Sequence, residues 1–294
     1  MGGNVEIFLK AQNAILADLR ARVRDNNSER WTDAECYGAI NDALLTWQDR
    51  VRIPHLYTIS GGWLSGTLEY TLPDWIRSNA VQPQMKGLAQ STSITYRLTS
   101  ETWQDIPGWR IEPNASNGRV LKFSVSPYST EGRLIWWGSN MPLPITVPTT
   151  SGSTAADATS LVLGSVVDCH EYGWVKVDSE WMQYAGVDRG ASTTTLTNLA
   201  RGLAQGGAAA IHNTTTPVYF GIAMSKTELY RVLMDQAIVH LHELYLGNAS
   251  SKEKQTHQEL IGFYDGRVRE FWKNWSDQTK TIKQQLDVSA WITM

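Results

Sequence analysis

Residues 225–247, SKTELYRVLMDQAIVHLHELYLG, constrain the fold more than any other stretch of this chain. Ser225 and Glu228 have the spacing of a capping box, in which two side chains satisfy the free backbone N–H groups at a helix start. Gly247 supplies the left-handed residue that ends many helices. At roughly 1.5 Å per residue, the predicted helix is about 33 Å long.

One face of this helix carries an apolar stripe. At about 100° per residue, the stripe contains Leu229, Leu233, Ala237, His240, Leu241 and Leu244. A helix in a globular protein buries such a stripe against other elements, so the rest of the chain has to supply the partners.

Two further amphipathic helices are predicted before Pro54. The first spans residues 5–24, with an apolar face that runs from Val5 to Val23. The second begins at a capping box formed by Thr32 and Glu35. Cys36, Ile40, Ala43, Leu44, Trp47 and Val51 share its apolar face, which favours a core role for the cysteine over a nucleophilic one. A short polar loop joins the two helices and predicts an antiparallel helical hairpin.

A third capping box, Ser250 with Glu253, opens the last predicted helix. Its apolar face contains Leu260, Phe263, Tyr264, Val268, Phe271 and Trp275. With the helix over residues 225–247 it forms a second helical hairpin, and the two hairpins are natural packing partners for one another.

The chain between the two hairpins has the alternation and the turn residues of β structure. Strands are predicted at residues 56–59, 67–72, 120–125 and 133–137, the last two as a β-hairpin. A Pro-, Ser- and Thr-rich stretch, residues 142–158, indicates a boundary. Strands at 174–177 and 181–184 then form a hairpin around Asp178, and residues 193–196 and 218–220 add two more strands.

The predicted fold class is therefore α+β. A four-helix bundle scaffold is formed by the N- and C-terminal helical hairpins, with an antiparallel β domain and an inserted β module between them. The predicted boundaries are 1–54 for the N-terminal hairpin, 55–148 for the β domain, 149–222 for the module, 223–276 for the C-terminal hairpin and 277–294 for a tail.

Composition excludes several classes of protein. The net charge of −3 provides no global basic signal for nucleic-acid binding. No apolar run approaches the ~20 residues of a membrane span, and the N-terminus lacks the apolar region of a signal peptide. The two cysteines, Cys36 and Cys169, are far apart and indicate reduced thiols in a chain that folds in a cytosol.

No catalytic, cofactor or metal site is predicted, and the sequence does not indicate an enzyme. His240 and His242 point about 200° apart on a helix, so they cannot converge on one metal ion. We interpret His240 as a core or interface histidine. Cys169 precedes His170, but no orienting carboxylate or amide can be placed beside them. The glycine-rich stretches lack the lysine of a phosphate-binding loop.

Several segments, taken in order, resemble the head-to-tail connector (adaptor) proteins of tailed bacteriophages. They are TDAECYGAINDALLTWQDRVRIPHLYTI, LEYTLPDWI with its Tyr70-Thr-Leu-Pro73 motif, and RVLKFSVSPYSTEGRLIWWGSNMPLP. A later stretch is similar to a different recurrent phage module, which the minimal connector lacks. That similarity rests on Asp178, Glu180, Arg201, Gly202, Gly206 and His212.

The connector resemblance implies a structural protein of the virion neck, made in the host cytoplasm. It implies a cyclic homo-oligomer, commonly of twelve copies, that binds the portal protein and meets tail or nozzle proteins. Double-stranded DNA would pass through the ring without sequence-specific binding, and no membrane would be involved.

Two groups of residues are candidates for partner binding. The tail is polar until residues 290–294, AWITM, so Trp291, Ile292 and Met294 either fold back on their own domain or dock on a neighbouring chain. Arg20 and Arg24 lie near the end of the first helix, where cations complement the helix dipole or meet an acidic partner.

The sequence also supports an alternative to the connector function. Thirteen tryptophans are many for a chain of 294 residues, and exposed tryptophans can stack on sugars or anchor interfaces. The alternative is a carbohydrate- or host-binding accessory virion protein whose binding face includes Trp174 and Trp181.

Overall fold

The computed structural model describes residues 8–48, 50–76, 81–86, 103–114, 118–203, 208–224, 227–246 and 250–282. The helices are α1 Gln12–Val23, α2 Asp33–Trp47, α3 Thr227–Leu246 and α4 Ser251–Ile282. The strands are β1 Phe8–Ala11, β2 Ile53–Ile59, β3 Glu69–Leu72, β4 Val81–Lys86, β5 Trp103–Asp105, β6 Trp109–Asn114, β7 Gly118–Phe123, β8 Glu131–Gly138, β9 Ser160–Leu163, β10 Gly173–Val177, β11 Glu180–Tyr184, β12 Val187–Arg189, β13 Thr194–Thr197 and β14 Val218–Met224.

The strands form four small antiparallel sheets in the described ranges. Their orders are β1-β14-β10-β11, β12-β13-β9, β2-β8-β4-β5 and β3-β7-β6. The largest hydrophobic cluster joins α1, α2 and α3 to the first two sheets. A separate cluster, around Trp63 and Trp136, fills the space between the other two sheets.

The predicted four-helix bundle scaffold is wrong. Phe8–Ala11, expected to be helical, forms strand β1 and pairs with β14, so α1 begins only at Gln12. The helices also do not have a core of their own, because Leu19 of α1 and Leu233 of α3 belong to the same cluster as Phe220 of β14. The helices and the β1-β14-β10-β11 sheet therefore share one hydrophobic core. The apolar faces of the helices pack on that sheet as well as on one another, which differs from the predicted packing of two helical hairpins.

Helix α2 follows its prediction closely. The Thr32 hydroxyl accepts a hydrogen bond from the Glu35 N–H at 3.2 Å, and the Glu35 carboxylate accepts one from the Thr32 N–H at 2.7 Å. This confirms the capping box. The predicted apolar face is buried throughout, and Cys36 is a core residue as expected. The helix ends at Trp47, and Ile53-Pro54 already belongs to β2.

The buried face of α3 differs from the predicted stripe. Leu229, Leu233, Ala237 and Leu241 are buried as expected, whereas Leu244 is exposed and His240 is partly exposed beside Glu243. His242 is buried instead, against the Trp31 and His257 rings. Because α2 and α4 both pack on α3, its buried surface is wider than one stripe. Ser225 and Gly247 lie outside the described residues.

Helix α4 begins where the third capping box places it. The Glu253 carboxylate accepts hydrogen bonds from the Ser250 N–H at 3.0 Å and from the Ser250 hydroxyl. Val268 is buried as predicted, but Phe263 of the same predicted face is 60% exposed. The helix has 32 residues and is therefore about 48 Å long.

The hairpin predicted from residues 120–125 and 133–137 is wrong. Strand β7 pairs with β3 and β6, whereas β8 pairs with β2 and β4, so the two strands lie in different sheets. The connecting loop turns away at Ser129, which forms a β-bridge with Trp63 instead. The hairpin of β10 and β11 is confirmed, with Val177 opposite Glu180 and Asp178 in the left-handed region at φ 52°.

Amide side chains fasten the sheets and helices to one another. Asn198 accepts from the Thr58 N–H and donates to the Thr58 carbonyl, both at 2.8 Å. Asn140 makes the same pair of hydrogen bonds to Ala223. Gln183 accepts from the Leu56 N–H, which ties β11 to the start of β2.

Candidate functional site

A buried ionic cluster lies where the β10–β11 hairpin meets the loop before β14. Arg201 donates to both carboxylate oxygens of Glu180, from Nε at 3.0 Å and from Nη2 at 2.7 Å. His212 lies between two carboxylates, with Nε2 2.9 Å from Glu180 and Nδ1 2.9 Å from Asp178. The Glu180, Arg201 and His212 side chains are almost completely buried, whereas Asp178 is exposed.

Local structure places each member of the cluster. Asp178 occupies the turn of the hairpin, and Glu180 is the first residue of β11. A β-bridge between Thr154 and His212 holds the imidazole over the hairpin. The similarity to a recurrent phage module rests on six residues, and the structure brings Asp178, Glu180, Arg201 and His212 together. Gly202 follows Arg201 in the left-handed region at φ 61°, and Gly206 lies outside the described residues.

The buried Glu180 carboxylate is paired directly with the Arg201 guanidinium. Burial alone would raise the pKa of Glu180, but hydrogen bonds from Arg201, the Ala210 N–H and His212 outweigh it and lower that pKa. Each nitrogen of the His212 ring lies 2.9 Å from a carboxylate oxygen, one of Asp178 and one of Glu180. Because Glu180 accepts hydrogen bonds from Arg201, the Ala210 N–H and His212, the arrangement holds the module together.

A second buried pair joins α3 to α4. The Nδ1 atoms of His242 and His257 are 2.7 Å apart, between the rings of Trp31 and Tyr245. Burial, with His257 and Arg30 nearby, lowers the pKa of His242 to about 4. The pair was not predicted, because the spacing of His240 and His242 concerns one helix, whereas His257 lies on another.

Cys169, next to His170 in the sequence, is a core thiol. The Cys169 thiol is buried, and burial raises its pKa to about 11, which disfavours the thiolate that a nucleophile needs. Among the described residues, no three His, Cys, Asp or Glu side chains are grouped closely enough to hold a metal ion. Within the same residues, no helix is long and apolar enough to cross a membrane.

The two arginines predicted to bind a partner have different environments. Arg20 is buried and donates to the carboxylates of Asp25 at 2.9 Å and Asp33 at 2.5 Å, so its guanidinium serves the fold. Arg24 is exposed at the left-handed end of α1. Trp291, Ile292 and Met294 lie outside the described residues.

The tryptophans proposed for sugar binding are internal. Trp174 and Trp181 are both buried and pack together with Ile53 and Ala223 in a small cluster. Stacking on a sugar needs an exposed ring face, so their burial argues against the accessory-protein alternative.

Comparison with protein-family models, with curated proteins and with solved structures found no match to this chain.

Proposed function

We propose that this chain is a structural subunit of a homo-oligomeric ring, the head-to-tail connector of a tailed phage. It joins the portal protein to the tail, and its ring forms part of the channel for DNA. The order of the connector-like segments along the sequence motivates the proposal, and the exposure of α4 is the structural observation that carries it.

Most side chains of helix α4 are exposed or only half-buried. Of its side chains over residues 251–275, only His257 and Val268 are buried. Phe263 is 60% exposed, whereas Phe271 and Trp272 are partly exposed and pack against the core of their own chain. The exposed Phe263 ring gains stability when another surface covers it. In a homo-oligomeric ring, a neighbouring copy of the same chain can cover this side chain, so no second kind of protein is needed.

The charge of the chain is compatible with a DNA channel. A strongly basic surface would bind the phosphate backbone and slow the passage of DNA. The net charge of −3 avoids such attraction.

The mass of the assembled protein tests the proposal. The chain of 32.9 kDa is expected to form closed assemblies of one defined size, alone or with the portal protein of the same phage. Replacing Phe263 with Asp is expected to reduce assembly at least tenfold, because the interface would then bury an unpaired charge.

Gln258→Asp is the matched control, since it adds the same charge at an exposed polar position of the same helix. It is expected to assemble as the unmodified chain does. A chain that stays monomeric at all concentrations and never joins portal rings contradicts the proposed function.

A further inference from the structure

Two histidines on neighbouring helices face one another through the same ring nitrogen. The Nδ1 atoms of His242 on α3 and His257 on α4 are 2.7 Å apart, and both side chains are buried. At this distance one nitrogen donates an N–H group and the other accepts it with a lone pair. The contact therefore has room for one hydrogen between the two nitrogens.

The paired histidines can take up fewer protons than separated ones. A first extra proton can bind the outer nitrogen of the donor ring, which leaves the Nδ1–Nδ1 hydrogen bond intact. A second extra proton has only the accepting Nδ1 left, where it would set two N–H groups against each other and break the contact. Two separated rings have no such restriction, and each of them can become an imidazolium.

The surroundings of the pair already oppose the first extra proton. Burial, followed by the nearby His257 and Arg30, lowers the pKa of His242. Burial and then Arg30, which lies in the loop before α2, lower the pKa of His257, whereas Glu253 of α4 acts on it in the opposite direction. The rings of Trp31 and Tyr245 pack against the pair.

The histidine pair is the polar attachment of the first half of α4. In the part of the chain that the structure describes, no other hydrogen bond or ion pair joins residues 250–266 to another element. His257 is also the one buried side chain among these residues. Loss of the pair therefore removes most of what holds this half of the helix on α3.

The second half of α4 is held by several independent contacts. The Arg267 guanidinium lies 2.9 Å from the Asp235 carboxylate of α3, and Val268 is buried. The Trp272 ring packs edge-to-face on Trp47 of α2, with ring centroids 4.9 Å apart. None of these contacts involves a histidine, so this half stays in place when the pair separates.

Two glycines lie between the two halves. A Cβ at Gly262 or Gly266 would meet no atom within 4 Å, so close packing does not require either glycine. Glycine weakens the interior of a helix relative to alanine. Residues 262–266 are therefore the stretch at which α4 bends most easily.

We propose that double protonation of the His242–His257 pair releases residues 251–261 of α4 from α3, with residues 262–266 as the hinge. The released arm is about 17 Å long. Its departure uncovers the face of α3 that carries His242. All the contacts involved lie within one chain, so the inference does not depend on the proposed ring.

The direction of the pH effect follows from the number of bound protons. Above about pH 6.5 separated histidines are mostly neutral, so separation gains no protons and the arm stays docked. Below that pH, the separated pair binds one or two protons more than the docked pair. The ratio of released to docked arm is therefore expected to rise about 10- to 100-fold for each unit by which the pH falls.

Distances between spin labels in the full chain test the release. One label pair, at Leu244→Cys and Gln258→Cys, spans α3 and the first half of α4, and both positions are exposed. A second pair, at the exposed Arg231→Cys and Glu270→Cys, spans α3 and the second half. The native cysteines are buried, so the labels react with the introduced thiols.

The two label pairs are expected to respond differently to acid. Between pH 7 and pH 4.5, the first pair is expected to change from one short distance to a longer and broader distribution. The second pair is expected to keep its distance. A short first-pair distance that persists at pH 4.5 overturns the inference, and a joint change of both pairs shows that the hinge is wrong.

Variants of the histidines connect the response to the pair. His242→Leu combined with His257→Leu is expected to keep the arm docked at both pH values, because two apolar side chains replace the titrating rings. His257→Gln leaves one titrating ring and is expected to give a shallower pH dependence than the unmodified chain. His240→Gln, outside the pair, is expected to respond as the unmodified chain does. Full acid release in the leucine variant, or an unchanged slope in His257→Gln, overturns the inference.

A glycine variant tests the hinge. Gly262→Ala combined with Gly266→Ala is expected to lower the released fraction at each pH, because alanine stiffens the helix. The steepness of the pH response is expected to stay the same, since the histidines are unchanged. An unaltered released fraction would show that α4 does not bend at these glycines.

Discussion

Arg201→Met is expected to lower the free energy of unfolding by about 3–5 kcal/mol, the range found when one partner of a buried ion pair is removed. Arg201 is the cation that faces both oxygens of Glu180, and both side chains are almost completely buried. Without it, a buried carboxylate keeps only His212 and the Ala210 N–H as donors. Urea unfolding monitored by circular dichroism measures the loss.

Two further variants test whether the loss of stability comes from an unpaired buried charge. Arg201→Met combined with Glu180→Gln removes both charges and is expected to be less destabilised than Arg201→Met alone, because no unpaired charge remains buried. Arg269→Met breaks an exposed ion pair with Asp265 and is expected to cost less than about 1 kcal/mol. Equal losses for Arg201→Met and Arg269→Met would show that the cluster does not stabilise the fold.

Acidification from pH 6.5 to pH 4 is expected to remove about 3 kcal/mol of stability through the buried His242–His257 pair, at about 1.4 kcal/mol for each unit by which the pKa of His242 is lowered. The pKa of this histidine is about 4 in the folded chain, against 6.5 for an unperturbed imidazole. Because the folded pKa is lowered, the unfolded chain takes up the proton first. The stabilisation is therefore complete above pH 6.5 and is lost as the pH falls towards 4.

The pH dependence is measured as the slope of unfolding free energy against pH, with and without the side chain. His242→Gln is expected to have a shallower slope between pH 6.5 and pH 4. His240→Gln is the matched control two residues away, since His240 is partly exposed beside Glu243, and its slope is expected to equal that of the unmodified chain. Parallel slopes for His242→Gln and the unmodified chain would contradict the assignment.

Local signals in the sequence predicted local structure well. The capping box at Thr32, the apolar face of α2 and the β10–β11 hairpin were all confirmed. Each depends on residues within a few positions of one another, where hydrogen-bond geometry and side-chain periodicity are set by the chain itself.

Errors arose where distant segments compete for the same surface. Phe8–Ala11 has an apolar pattern that suits a helix, but pairing with β14 makes it a strand. Neighbouring helices on both sides of α3 bury His242 and leave His240 partly exposed. Strands β7 and β8 follow one another yet join different sheets, because the loop at Ser129 pairs with Trp63. The periodicity of apolar residues within one segment does not tell which other segment it will pair with or pack against.

The candidate site was partly predictable. Asp178, Glu180, Arg201 and His212 were named through a similarity of sequence, and they form one cluster. The pairing of His242 with His257 could not have been found in this way, because it depends on how α4 packs on α3.

The amide side chains that fasten the sheets and helices have an evolutionary consequence. Asn41, Asn140 and Asn198 bind the N–H and carbonyl groups of Leu143, Ala223 and Thr58, and these groups are the same in almost every amino acid. The side chains of the fastened residues can therefore change from one lineage to another while the attachment persists. Selection on these junctions falls on the three asparagines, whereas residues packed in the core must change together with their neighbours.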